Sequence, residues 1–188
     1  MKLLNLLENP IEFFENIKDK DWKYAFKFFL IITMIISIVT PIINYFGIES
    51  TDLSSAYQAQ ILAYRILKHT LLYQYGNFAY LIEAFLIFIF SIIILLFSTI
   101  FLHFIFKLMG GKGSILNAWK ALCYGVGPCV IGGFLPYISL FAAFYSFILQ
   151  FYIGPRILYQ VKESKAIIFL AIMLALIFIE IFTKGTTV

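Results

Sequence analysis

The sequence is poor in charged residues. Its 188 residues include only 14 lysines and arginines and 10 acids, so that 13% of the chain is charged, against about 25% in soluble domains. Hydrophobic residues make up 62% of the chain, and the mean hydropathy is +0.95. A single core of this size cannot remove so much apolar surface from water. The composition therefore excludes an ordinary soluble domain and indicates a membrane protein.

Cysteine and histidine are also scarce, with two of each. Cys123 and Cys129 lie six positions apart in one apolar segment, hence on different sides of a helix, which favours free buried thiols over a disulfide or a metal pair. His69 has no ligand partner at suitable spacing, and we expect it on the opposite side of the membrane from His103. We therefore predict no catalytic residue, no metal site and no cofactor. The few cations form no basic tract with interleaved aromatics, so nucleic-acid binding is not expected.

Five apolar stretches come close to the length of about 20 helical residues that a bilayer crossing needs. The predicted fold is all-α: a polytopic membrane bundle of five transmembrane helices with short interfacial amphipathic helices. These spans, within a membrane domain of residues 22–188, are placed at about 25–46, 78–106, 115–133, 136–154 and 166–183. Pro41 should bend or end the first span. The polar interval 49–77 should form an amphipathic helix at the outer face.

Residues 1–21 precede the spans and predict a cytoplasmic amphipathic helix. Asn9, Pro10 and Glu12 have the order of a helix start, with a cap, a first-turn proline and a capping-box partner. The helix fits two positions, on the membrane surface or docked on the protein itself. We expect the membrane surface, held by the apolar residues Leu3, Leu4, Leu7, Phe13, Phe14 and Ile17.

A glycine-rich turn follows the second span. Gly110, Gly111 and Gly113 allow a tight reversal between two helices, and Ser114 can cap the helix that follows. The order of glycine and lysine here departs from the phosphate-binding loop, which also requires a preceding strand. We therefore interpret the glycines as a structural hinge rather than a nucleotide site.

The third span carries its own break and a face of small residues. Residues 125–128 include Gly125 and Pro128, which should interrupt the helix, and Gly125, Cys129 and Gly133 recur every four positions. A stripe with Ser146 and Gln150 marks the fourth span. We expect the two small-residue faces to meet in an antiparallel hairpin.

Three further expectations concern the fourth span and the acids. The fourth span should end at Gly154, before Pro155, and Gln150 should form an interhelical hydrogen bond. Glu83 lies near the outer end of its span, where Arg65 or Lys68 could pair with it. Glu180 and Lys184 are spaced as an interfacial pair. Whether Glu83, Gln150 or Glu180 serves function or structure is left open by the sequence.

The lysines and arginines predict the topology through the positive-inside rule. Five spans with a cytoplasmic N-terminus put eleven of the 14 on the inner side, namely Lys2, Lys18, Lys20, Lys23, Lys27, Lys107, Lys112, Lys120, Arg156, Lys162 and Lys165. The outer side holds three, namely Arg65, Lys68 and Lys184. We therefore predict a multi-pass protein of the cell membrane, with its N-terminus in the cytoplasm and its C-terminus outside.

Short motifs are spread over most of the chain, namely residues 108–114, Tyr124-Gly125, Gly127-Pro128, Gly154 and Ser164-Lys165-Ala166, together with Asn9, Pro10, Phe14 and Trp22 near the start. The first set resembles the Yip-one domain family of small five-span membrane proteins, and the residues near the start are similar to its prokaryotic branch. Pro155 departs from the usual pattern. For eukaryotic members of this family, the resemblance implies a role in vesicle traffic through prenylated Rab-type GTPases. Small-GTPase binding is not expected here, because the long polar N-terminal region of those relatives has no counterpart in this sequence.

These observations favour a non-enzymatic membrane protein over an enzyme. We expect an adaptor or organiser that binds the lipid bilayer, other membrane proteins or a second copy of itself. The alternative is a small transporter, channel or lipid scramblase that uses the broken third span, because discontinuous helices often line substrate sites.

The topology is testable with single cysteines. A cysteine in place of Lys112 should react with a membrane-impermeant maleimide only from the cytoplasmic side, and one in place of Gln58 only from outside. The reverse pattern, or equal labelling from both sides, would overturn the predicted orientation.

Overall fold

A computed structural model describes residues 2–45, 66–135 and 138–185. Within these ranges every regular element is helical and no strand occurs, which confirms the predicted all-α fold. Three of the described helices are long and apolar enough to cross a membrane, namely Trp22–Ile43, Ile66–Leu108 and Ser139–Leu158. A helical membrane bundle is thus the fold, and the number of five spans stays a prediction.

Ten α-helices and two shorter helical turns follow one another along the described ranges. The first five helices are α1 (Lys2–Glu8), α2 (Pro10–Ile17), α3 (Trp22–Tyr45), α4 (residues 66–75) and α5 (Ala79–Leu108). A 3-10 turn, Gly76–Phe78, joins α4 to α5, and residues 49–65 of the predicted outer helix lie outside the described part. The second half consists of α6 (Ile115–Gly125), α7 (Cys129–Phe134), α8 (Ser139–Ile148), a π turn (Leu149–Ile153), α9 (Gly154–Leu158) and α10 (Glu163–Gly185).

Two prolines lie inside helical stretches. Pro41, which was predicted to bend or end the first span, does not end it, because α3 continues to Tyr45. Pro155 lies in the first turn of α9, directly after the π turn. There the Gly154 N–H donates to the Leu149 carbonyl, five positions back, so that a new helix starts where the missing N–H of proline does no harm. The predicted helix end at Gly154 is therefore wrong, and the path continues to Leu158.

The best-packed part of the bundle lies where α2, α6, α9 and the turn after α5 meet. Its largest fully buried side chains include Phe14, Phe106, Tyr124 and Tyr159. Farther along the long helices, large apolar side chains such as Phe97 are exposed. Such a surface is stable in hydrocarbon and not in water, as expected of a membrane protein.

The predicted break in the third span is present. Residues 126–128 form a turn between α6 and α7, and α7 packs against α8. The close approach of these two helices lies at Gly132, where a Cβ would be 2.9 Å from the Ser139 Cα. Among the described residues, a Cβ at Gly133 would meet only the Ile36 Cγ1, at 3.7 Å, so the sequence placed the tight contact one residue too late. Pro136 of the connecting turn lies outside the described residues.

The two neighbouring glycines make a matched pair for testing this packing. Alanine in either position gains about 0.5–1 kcal/mol of helix propensity, but in Gly132→Ala it also forces the α8 backbone away, at a typical cost of about 1–3 kcal/mol. We expect Gly132→Ala to lower the thermal unfolding midpoint in detergent by several degrees and Gly133→Ala to leave it unchanged or raise it. Equal midpoints for the two variants would contradict the close contact at Gly132.

Candidate functional site

Side chains of other helices bind the carbonyl groups at four helix C-terminal ends. The last carbonyls of a helix have no partner within it and need an outside donor. The donor–acceptor pairs are Tyr145 Oη to Leu7 O (3.0 Å), Lys120 Nζ to Lys18 O (2.7 Å), Lys165 Nζ to Met109 O (2.9 Å) and Asn117 Nδ2 to Leu158 O (2.9 Å). We call the region held by these bonds, at the ends of α1, α2, α5 and α9, the capped end.

Lys120 has a structural task that the charge count did not reveal. Its side chain is only 6% exposed, and Nζ also approaches the Ile17 carbonyl at 3.4 Å. The ammonium group thus lies at the C-terminus of α2, where the helix dipole favours a cation and where a buried lysine gains the partners it requires. Lys120 therefore fixes α2 to α6 instead of contributing a free surface charge.

The N-terminal segment is docked on the protein. Asn9 separates α1 from α2 and accepts the Glu12 N–H, so the predicted cap is present, although the segment is two helices and not one. Phe13, Phe14 and Ile17 are buried, and the Phe13 ring packs edge-on against Tyr124 with centroids 5.1 Å apart. The prediction that these side chains insert into the membrane surface is therefore wrong, because the α6 side of the bundle offers them a protein surface.

The glycine hinge is a tightly packed turn around Tyr159. Gly110 has a φ of +85°, and a Cβ on Gly113 would lie 2.8 Å from the Tyr159 Cγ. A Cβ on Gly111 would lie 2.8 Å from a backbone oxygen and 3.0 Å from the same tyrosine ring. The Lys112 N–H donates to the Tyr159 carbonyl at 2.7 Å, and Ser114 takes the N-cap position of α6 without a capping bond from its side chain.

Tyr159 also connects the hinge to α5. Its hydroxyl and the His103 Nδ1 are 2.6 Å apart and share a hydrogen bond. The histidine therefore belongs to the packing of the capped end. Sequence reasoning missed Tyr159, because its partners lie more than 40 positions earlier in the chain and no local pattern marks the contact.

The predicted small-residue faces meet at Gly125. The Ser146 Oγ donates to the Gly125 carbonyl at 2.6 Å and lies 3.2 Å from the Cys129 Sγ. The Gln150 side chain packs directly over Gly125, where any Cβ would overlap it. Ser146 forms the interhelical bond that was expected of Gln150, whose amide bonds to no other residue that the structure describes. Pro128 is fully buried at the start of α7.

The remaining acids include one in a surface ion pair and one buried carboxylate. Glu163 pairs with Arg156 at 3.4 Å on the surface, an arrangement that usually contributes less than about 1 kcal/mol. Glu83 is buried on α5 at 7% exposure. Of its two predicted partners, Lys68 lies on α4 and Arg65 lies outside the described residues, as does the side chain of Glu180. In the described part of the chain no group of three or more histidines, cysteines or acids could hold a metal ion.

The outward surface of the capped end is cationic around the hinge and the α9–α10 turn, while the exposed acids Asp19 and Asp21 lie near Lys120 at the end of α2. Its exposed lysines are Lys107, Lys112, Lys162 and Lys165. The acid nearest to them in sequence, Glu163, is paired with Arg156. Beside this surface, between α2 and α9, a polar cleft of about 450 Å³ is lined by Ile11, Glu15, Lys18, Arg156 and Ile157. The arrangement can attract anionic groups but contains no nucleophile with an adjacent base.

Removing the Lys120 ammonium should loosen α2. In Lys120→Met the α2 carbonyls lose a charged donor while staying buried, which costs about 1–3 kcal/mol. Hydrogen exchange in α2 should therefore accelerate by about 5- to 150-fold. Lys112→Met, which removes an exposed lysine eight positions earlier, is the control and should leave α2 unchanged. Equal exchange in the two variants would show that Lys120 does not hold α2.

Comparison with curated proteins and with solved structures found no match to this chain. A match to a protein family was found and extends over nearly all of the sequence. The Yip1 domain matches residues 4–182, from α1 into α10. This range includes the hinge, the broken third helix and all four capping bonds, and it agrees with the resemblance seen in the short motifs. The chain belongs to the Yip1 domain family.

Proposed function

We propose that this Yip1-domain membrane protein is a non-enzymatic organiser that binds other membrane proteins, or lipid, through the capped end. The observation that carries the proposal is the fixed cationic surface there. Lys165 bonds to the end of α5, and the backbone of Lys112 bonds to Tyr159, so both lysines extend from an anchored turn. A preformed surface loses little conformational entropy when a partner binds.

The alternative of a transporter or channel has lost its main support. The break at residues 126–128 was the feature that suggested a substrate path, and protein groups pack it on two sides. On one side, the Ser146 hydroxyl donates to the Gly125 carbonyl. On the other, a Cβ on Gly127 would lie 2.7 Å from the Leu6 Cδ2 and 3.1 Å from the Leu3 Cδ1. A polar, water-lined break would favour transport, whereas this break is filled by protein, with the Ser146 hydroxyl and the Gln150 side chain at Gly125 and the apolar side chains of Leu3 and Leu6 at Gly127.

The orientation follows from the same charges. With the N-terminus in the cytoplasm, the exposed lysines of the capped end face the cytoplasm, in accord with the positive-inside rule. The C-terminus then lies outside. The partner we propose is a membrane protein with an acidic cytoplasmic segment, or an anionic lipid surface, because either complements the lysines.

Crosslinking in native membranes tests the proposal. A photoreactive residue in place of Lys112 or Lys162 should give a discrete adduct with a membrane protein or with anionic lipid. The same residue in place of Tyr73 on α4, which is 90% exposed, is the control and should not give that adduct. Adducts at Tyr73 alone would contradict binding at the capped end.

A flux assay distinguishes the organiser from the transporter. The purified protein in liposomes should carry neither ions, small solutes nor fluorescent lipid above the rate of protein-free liposomes. Leu6→Ala, which thins the packing at the break, should not create flux either. Flux above that of protein-free liposomes that is lost when Gly127 or Leu6 is substituted would support the transport function instead.

A further inference from the structure

The elements α6 to α9, residues 115–158, form a hairpin whose tip lies beside the middle of α3. Its first arm, α6 and α7, runs in the same direction as α3, and contacts between them align the two. The Trp22 and Trp119 rings are 6.2 Å apart, the Phe28 and Tyr124 rings are 5.1 Å apart, and Gly133 at the end of α7 faces Ile36. Helix α3 continues from Ile36 to Tyr45. At 1.5 Å per residue, it extends about 13 Å beyond the hairpin's end.

The charged residues of α3 indicate how deep the tip of the hairpin lies in the membrane. Lys23 and Lys27 are exposed, and from Phe28 to Tyr45 the helix has no charged residue. That uncharged length is about 27 Å, close to the thickness of about 30 Å of the hydrocarbon core. Ile36 is nine residues beyond Lys27, so the hairpin's end lies about 13 Å deep. This is near the middle of the bilayer.

The N-terminal helices shorten the immersed part of the hairpin further. Glu8, Glu12 and Glu15 are exposed on α1 and α2, and carboxylates are costly within hydrocarbon. Phe13 of α2 packs on Tyr124, so α6 up to Tyr124 lies at the depth of a helix that carries exposed carboxylates. Only the ten residues from Gly125 to Phe134 then descend into hydrocarbon, and about 20 are needed to cross it.

The tip itself is suited to hydrocarbon. Phe134, Leu135 and Phe141 are 56%, 53% and 72% exposed, and a turn at the far membrane surface would place them in water. Two backbone bonds between described residues of the tip are internal, because the Leu135 N–H donates to Ile131 O (2.9 Å) and the Ile138 N–H donates to Leu135 O (3.0 Å). In hydrocarbon, the backbone N–H and C=O groups of a turn must bond to other groups of the protein.

The length of the uncharged segment between Lys120 and Arg156 agrees with a tip near the middle of the bilayer. Between Lys120 and Arg156 there are 35 residues without a charge. Two full crossings and a turn need more than about 40. The stretch Ser139–Leu158 is long enough to cross, but its second half packs against α2 and reaches the Arg156–Glu163 pair on the surface.

We infer that residues 115–158 form a re-entrant hairpin, which enters and leaves the membrane on the N-terminal side. Its tip contacts the acyl chains of that one leaflet. The spans then number three, α3, α4–α5 and α10, and the termini stay on opposite sides as the charges require. The hairpin adds apolar volume to one leaflet only. This inference deepens the lipid-binding part of the proposed function and does not depend on a protein partner.

The experiment measures the side and the depth of Leu135. Cys123→Ala and Cys129→Ser remove the native thiols, and Leu135→Cys, Lys112→Cys or Gln58→Cys is then added to the full-length protein in oriented vesicles. We expect an impermeant maleimide to leave Leu135→Cys unlabelled from both sides and to label it after detergent is added. Labelling from the side on which Gln58→Cys reacts would show two full crossings and overturn the inference. Labelling from the Lys112→Cys side would place the tip in water and overturn it too.

Depth is measured on the same variant with an environment-sensitive fluorophore and brominated lipids. We expect the strongest quenching from bromine near the ends of the acyl chains. Strongest quenching from bromine near the headgroups would overturn the inference even if the maleimide result agreed. Circular dichroism of each variant establishes that the helices are intact. Loss of the crosslinks proposed at the capped end would leave both results unchanged, so the two proposals fail separately.

Discussion

The structure depends on satisfying the carbonyl groups at helix ends. A membrane protein with many short helices has many such groups close to hydrocarbon, where water cannot serve as their partner. Here Tyr145, Lys120, Lys165 and Asn117 each donate to the end of another helix. Each bond therefore does two things, because it satisfies a carbonyl and joins two elements that are distant in sequence. The positions of the N-terminal helices, the hinge and the α9–α10 turn all follow from these bonds.

Local chemistry predicted much of the fold. Glycine and proline at residues 125–128 predicted the break in the third span, and Asn9 predicted the helix start at Pro10. Apolar length predicted the all-α membrane bundle. These successes share one reason, since each depends on properties of residues within a few positions of one another.

Long-range contacts could not be predicted in the same way. Lys120 was counted as a surface cation because a single sequence does not reveal that α2 ends beside it. Gly133 was preferred to Gly132 because a fixed spacing of four was continued from Gly125 through Cys129, whereas the close contact in α7 lies three residues after Cys129. The amphipathic face of α2 fitted a membrane as well as a protein surface, because both accept apolar side chains. Only the position of Tyr124 distinguishes them.

The sequence separation of the bonds at α1 and α2 has a consequence for biosynthesis. The Tyr145–Leu7 bond spans 138 positions and the Lys120–Lys18 bond spans 102. At a synthesis rate of about 5–20 residues per second, the N-terminal helices wait roughly 7–28 s for Tyr145. Until α6 is synthesised, the apolar face of α2 lacks Tyr124 and Lys120, the side chains on which it docks. The N-terminal helices are thus made early but reach their native positions late, and in that interval their apolar residues are open to lipid and to chaperones.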